Sequence, residues 1–335
     1  MLRAFLMRIG LLKTLSRIGL SITVILMMAS AASHASDAAT DGYSIAPIPS
    51  WVKMFGPGRV NKDSDTAGGE RYLLLDRQSY DDSKVDAYHS HSIVEVVGQA
   101  GLSENSNLSI SFDPSYQRLE LHSAIVTRDG QSKDRLRQAR VDLARTEDSS
   151  HLDLLNGDVT ALVVLPDVRV GDTVETRYTV YGRNPVFEKR HHSQWRVRWS
   201  TPVERSVLRI TVPSSNRLNH SPEQPTADFT ESSTAGLRTL QWIWNEGEIS
   251  EAESGTTRWQ AHPDLLQITS FKSWTDVANW GERLFAGHSA QGEKYRALAS
   301  RIRNTAEKEG RDAAIAEAID YVPVSYTHLT LPTKA

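Results

Sequence analysis

From Glu70 onward the sequence alternates apolar and polar residues at a period of two, and this constrains the fold more than any other feature. The runs "RYLLLDRQSY", "DAYHSHSIVEVV", "SNLSISFDP", "QRLELHSAIVTRDG" and "LRQARVDLA" are each strand-like and are separated by turn residues. "VTALVVLP", "TVETRYTVYG", "QWRVRWS", "RSVLRITVP" and "LRTLQWIWNE" continue the series. Alternation places successive side chains on opposite faces of a sheet, so each run can bury one face and wet the other. Asp129-Gly130 supplies the positive φ that a two-residue hairpin turn requires. "RVGD" (Arg169–Asp172) marks a second tight turn. Many short strands without intervening helices predict a mainly β chain built as an antiparallel β-sandwich over 70–265.

After Ser273 the apolar spacing changes to that of helices. "SWTDVANWGERLFAG" has Ser273 as N-cap and Asp276 three residues on, a weaker form of the capping box. Gly287 is a plausible stop for that helix. "EKYRALASRIRNTAEKEG" and "DAAIAEAIDYV" predict two more helices divided at Gly310. Ala314, Ile315, Ala318, Ile319 and Val322 recur at i, i+3/i+4 on one face. Pro323 then ends the pattern, so a short helical segment is expected over 273–322, followed by a separate tail over 323–335.

The N-terminus carries Arg3, Arg8, Lys13 and Arg17 and no acidic residue before Asp37. An apolar run from about Ile18 to Ala32 follows, then "SHA" with Ser33 and Ala35 at the small-residue positions of a cleavage site. This is the pattern of a secretory signal peptide over 1–35, and the apolar run is too short for a stable membrane span. Met7 is an alternative start. The mature chain is expected to be acidic and periplasmic or secreted. Residues 36–69, rich in Gly, Pro, Ser and Asp, are read as a linker holding one docking segment, with Trp51, Val52 and Phe55 packing on the body.

Composition limits the chemistry. The 335 residues are 39% hydrophobic and 24% charged, enough for real cores. A net charge of −3 gives no footprint for nucleic acid. Cysteine is absent, which removes disulfides, thiolate metal sites and thiol nucleophiles. His89 and His91 share one strand face and could begin a metal site, but no third ligand is placed by the sequence. They are read instead as solvent-facing polar residues of a half-buried strand. His191 and His192 point to opposite faces. Trp195, Trp199, Trp242 and Trp244 could stack on sugars, but aromatics at period two are expected to be inter-sheet core. No carboxylate pair, phosphate loop or nucleophile elbow stands out. No catalytic, metal or cofactor-binding residue is assigned.

The strings "YLLLDRQSY", "SISFDPSYQRLELHSAIVTRDG", "LDLLNGDVTALVVLPDVRVGDTVETRYTVYGRNPVF" and "WSTPVERSVLRITVP" resemble the DUF3857 domain, a bacterial extracytoplasmic module, over about residues 70–250. "LLQITSFKSWTDVANWGERL" and the helix ending "AIDYV" resemble the lead-in to the transglutaminase-like domain that follows it in that family. The resemblance implies a Cys-His-Asp triad in the parent protein, and this chain has no cysteine to supply it. "VSYTHLTLPT" (Val324–Thr333) resembles an in-frame translation of a transposon-end sequencing adapter. The expectation is therefore a gene interrupted near Val322. The chain would be the non-catalytic N-terminal module of an exported transglutaminase-like protein. It would dock or present substrate to a catalytic domain that is its main partner. Two alternatives stay open: a stand-alone peptide- or carbohydrate-binding module, and a metal-dependent enzyme using His89 and His91.

Export predicts a cleaved N-terminus. Mass spectrometry of protein from the native compartment should begin at Ser36. Retention of residues 1–35 in a membrane fraction would show an uncleaved anchor instead.

Overall fold

The computed structural model describes residues 42–60, 66, 68–145, 157–188, 190–199, 201, 203–222, 224, 226–245, 265–286 and 292–326. The signal peptide read at 1–35, Gly287 and residues 327–335 lie outside the described residues. The chain divides into two compact units at Ser270/Phe271, and each is described by itself.

The first unit is mainly β. Its strands are β1 (Tyr43–Ile45), β2 (Glu70–Asp81), β3 (Asp86–Val96), β4 (Asn107–Phe112) and β5 (Arg118–Arg128). Next come β6 (Gln131–Asp134), β7 (Arg140–Arg145), β8 (Val159–Val164), β9 (Thr173–Tyr181) and β10 (His192–Arg196). The series ends with β11 (Arg205–Pro213), β12 (Asn219–Ser221), β13 (Asp228–Thr234), β14 (Leu237–Asn245) and β15 (Leu265–Thr269). A short α-helix, α1 (Gln99–Asn105), interrupts the strands after β3, where none was expected.

The large sheet runs β1-β5-β9-β3-β2-β11-β14-β13, with β6 attached to β5. Two small antiparallel sheets, β4-β8-β7 and β10-β15-β12, complete the unit. The large sheet is mixed and not wholly antiparallel, because β1 pairs parallel with β5 and β2 pairs parallel with β11. A parallel neighbour needs a long crossover. Here the chain between β2 and β11 is long enough to build half the sheet before it returns.

Register decides what each face carries. Across the sheet, Leu119 pairs with Val180, Val180 with Tyr88, Ser79 with Ile210, and Ile210 with Leu240. That face is covered by the small sheets. Leu119, Leu121 and Val180 join Ile110, Phe112, Ala161 and Val163 in one core. Leu208, Ile210, Leu240, Trp242 and Trp244 join Leu266 and Ile268 in the second, with Trp195 packed against it. Each such side chain contributes roughly 1.5–3 kcal/mol on full burial. The tryptophans of β14 are therefore core, as their spacing suggested.

The turns follow local chemistry. Asp129 (φ 50°) and Gly130 (φ 76°) both take positive φ in the β5–β6 hairpin. Gly182 (φ 98°) follows β9, where an added Cβ would stand 2.0 Å from the Tyr116 carbonyl oxygen.

The second unit holds α2 (Trp274–Phe285), α3 (Glu293–Glu309) and α4 (Arg311–Tyr326). Ser273 caps α2 by accepting the Asp276 N–H at 3.2 Å, while Asp276 reaches back to the Lys272 N–H. Gly310 (φ 93°) separates α3 from α4. Glu317 joins them by accepting from Arg301 and from Thr305, both at 2.5 Å. The α4 backbone stays helical past Pro323, where the sequence pattern predicted an end. A proline removes one N–H bond but need not stop a helix already under way. None of the described helices is long and apolar enough to cross a membrane.

The two glycines separate conformational strain from steric conflict. Gly130→Ala has open space and should cost about 1–2 kcal/mol from its φ alone. Gly182→Ala adds a backbone collision and should lower the melting temperature considerably more. Equal effects in thermal denaturation would contradict the geometry.

Candidate functional site

Opposite the two cores lies a polar sheet face. The same registers that pair the apolar residues align Gln78 with His89, His89 with Thr179, and Gln78 with Arg209. One step along, Asp76 aligns with His91 and His91 with Arg177. These side chains alternate with the core residues, as a pleated strand requires. His89 and His91 do share a face, but they do not face solvent. Their exposures are 0% and 1%, and Asp76 and Gln78 are both at 0%.

Part of the cover comes from residues 46–58. Gln78 donates from Nε2 to the Lys53 carbonyl at 2.6 Å and accepts the Lys53 N–H at 3.0 Å. Its amide thus grips one residue's backbone on both sides. His122 bonds the Ala46 carbonyl at 2.9 Å, and the Gly58 N–H reaches Leu73 O at 2.8 Å. Trp51 stacks on Tyr80, with ring centroids 5.0 Å apart, and stands edge-on to His89. Of the residues read as docking, Trp51 packs on the sheet in this way, and polar bonds from Gln78 and His122 hold the same segment.

The network assigns the histidine tautomers. His122 Nδ1 must donate, because its partner is a carbonyl oxygen. Neutral His122 then accepts at Nε2 from the Thr179 hydroxyl, 2.7 Å away. Thr179 Oγ1 in turn accepts from His89 Nδ1 at 2.9 Å. This leaves a bare lone pair on His89 Nε2, a buried atom without a hydrogen-bond partner. His91 donates from Nε2 to Glu175 at 2.8 Å, and Arg177 bonds the same carboxylate.

Burial governs the charges. It pushes His89 down to about 3, with repulsion from His122 and His91 adding to the shift. It also lowers His91 and His122. Hydrogen bonding to His91 holds Glu175 below the ordinary carboxylate range. Asp76 is pushed up to about 7 by burial, against the opposing effects of Gln78 and of Arg77, Arg209 and Arg177. Gln78 Nε2 reaches its two oxygens at 3.2 and 2.9 Å, and His91 Nδ1 stands at 3.9 Å, beyond hydrogen-bond range.

The arrangement places titratable groups out of reach of water. Among the described residues, no group of three or more His, Cys, Asp or Glu is placed to hold a metal ion. His89 and His91 serve hydrogen bonds to Thr179 and Glu175. His191 is buried and His192 exposed, so that pair does point apart. The sequence drew no attention to Asp76 and Gln78, because alternating polar residues on a strand look like a wet face. The one hint was Trp51 in the docking segment.

Asp76 predicts a definite pH dependence. A carboxyl whose folded value is raised stabilises the protein below its unfolded value and loses that contribution as pH rises from about 4 to about 7. The lowered histidines act in the opposite sense, losing stability as pH falls below 6.5. Comparison with Asp76→Asn isolates the carboxyl. The variant should gain stability relative to the parent by up to about 1.4 kcal/mol per pH unit across that window and no further above it. Denaturant melts at a series of pH values measure the difference, and a pH-independent difference would refute the assignment.

Residues 83–249 match the family described as "Domain of Unknown Function with solved-structure structure (DUF3857)". The match starts later than the 70 read from the sequence, so β2 and the covering segment lie before it. No curated protein sequence matches the chain. Among solved structures, a Parabacteroides distasonis ATCC 8503 protein described as a "putative protease" is similar at 16% identity and a TM-score of 0.62. The similarity covers 77% of this chain and 50% of that one, so the chain spans half the length of that relative. An M1 zinc metallopeptidase from Deinococcus radiodurans is also similar at 16% identity, over 62% of this chain and 43% of that one, with a TM-score of 0.32. The chain carries a DUF3857 domain over residues 83–249, on a mainly β fold followed by helices.

Proposed function

We propose that the chain is the accessory module of an exported transglutaminase-like protein, docking against a catalytic domain or presenting substrate to it. The observation that carries this is the exposure of large apolar side chains on the helices of the second unit. Trp274, Phe285 and Ile319 are 87%, 77% and 62% exposed, and Tyr295 and Ile315 are exposed as well. Ile315 and Ile319 stand one turn apart on α4, so they share a face. Exposed apolar residues of this size and number mark a surface built to be covered.

Two further facts support the same reading. The chain spans half the length of the Parabacteroides protein. It also has no cysteine, so a thiol mechanism would need a nucleophile from elsewhere in the parent protein. The β unit fits an accessory role, because its distinctive polar groups are buried under its own segment. A stand-alone glycan module on the tryptophans has less support, since Trp242 and Trp244 lie in the core. Trp242→Ala would therefore report on folding rather than on binding.

Analytical ultracentrifugation tests the apolar surface. The full chain should self-associate with rising concentration, and Phe285→Ser with Ile319→Ser should reduce this while leaving the β unit's melting transition unchanged. A chain that stays monomeric at high concentration would argue against a surface awaiting a partner. A genomic reading frame that continues past Val322 into a cysteine-bearing domain would supply that partner.

A further inference from the structure

We propose that residues 46–58 are a proton-linked strap: they close over a protonated Asp76, and their opening releases that proton. The geometry rests on one amide. Gln78 Nε2 donates both to the Lys53 carbonyl of the strap and to the Asp76 carboxyl oxygens. The carboxyl is thus one side chain away from the strap backbone, at 0% exposure. Gln78 is its one hydrogen-bond donor among the described side chains. A single neutral donor is poor compensation for burying a full charge. Closing the strap therefore favours the neutral carboxyl, and admitting water favours the ionised one.

Charged and titratable groups from the strap and the neighbouring strands share this face with Asp76. Lys53 lies on the strap, where its Nζ bonds Gln241 of β14 at 3.3 Å. His89 and His91 come from β3, and Glu175 and Arg177 from β9. Arg209 comes from β11, and His122 from the bulge of β5 beside Thr179. The arginines favour ionisation, yet burial outweighs them. Arg77, on the opposite face, acts in the same sense as the other arginines.

The histidines under the strap work against Asp76. His122 is bonded to Ala46 of the strap, and His89 lies edge-on to Trp51 with its Nε2 lone pair unsatisfied. Opening hydrates both rings and lets them take up protons below about pH 6.5. Acid therefore loosens the strap through the histidines, while proton loss from Asp76 loosens it as pH rises. The parent protein alone shows the balance of the two, so the carboxyl must be isolated by substitution.

Amide hydrogen exchange of the full chain reads the opening directly, after correction for the intrinsic pH dependence of exchange. The Lys53 and Gly58 amides report on the strap, and the Ile210 amide reports on the core. The ratio of strap opening in the parent to that in Asp76→Asn should grow by up to about tenfold per pH unit between about 4 and 7, then level off. Trp51→Ala gives a second reading, because it removes the stacking on Tyr80 and favours the open strap. In that variant the Asp76 carboxyl, followed by carbon NMR, should titrate at a lower pH than in the parent. A pH-independent ratio, strap amides that exchange only together with Ile210, or an unchanged Asp76 titration in Trp51→Ala would each overturn the proposal.

Discussion

The parallel pairing of β2 with β11 is the interaction on which the rest of the structure depends. It joins β1-β5-β9-β3-β2 to β11-β14-β13 and makes one sheet from two halves. Each half carries its own apolar core beneath its own small sheet. Because the side-chain period is two, the pairing must also hold the register of both halves in step. A slip of one residue would turn Leu208 and Ile210 out of the core and bring Arg209 into it.

The same register creates the polar face. A sheet that sends leucine and tryptophan to one side sends Asp76, Gln78, His89 and Arg209 to the other. Water would satisfy these groups at no cost. The protein instead lays residues 46–58 across part of them, and each buried polar atom then needs a partner. Gln78 answers by gripping the Lys53 backbone, and Thr179 answers by linking His89 to His122. Burial also biases these groups toward their neutral forms, pushing Asp76 up to about 7 and His89 down to about 3. Charge state and chain packing are thus one problem on this face.

The helical unit obeys a different logic. Its caps and inter-helix bonds are local, from Ser273 on α2 to Glu317 between α3 and α4. Local bonds form helices but bury little, and Trp274, Phe285 and Ile319 remain in water. Helices of this kind gain most of their stability by packing an apolar face. These exposed apolar side chains are the ground on which the accessory role is proposed.

What the sequence alone determined was local. Asp129-Gly130 specified a hairpin, Ser273 a helix cap, Gly310 a break between helices, and the period-two runs a mainly β unit with Trp242 and Trp244 inside. Each of these depends on a few neighbouring residues, whose propensities and spacing can be read directly. The tertiary structure alone decided that β2 runs parallel to β11 and that His89 and His91 are buried. It also decided that Asp76 is buried with its carboxyl pushed up to about 7, beside a glutamine that bonds the Lys53 backbone. Alternation states that a strand has two faces, but it does not say which distant segment will cover the polar one. That choice rests on long-range pairing and burial, where desolvation sets the charge of every group beneath the cover.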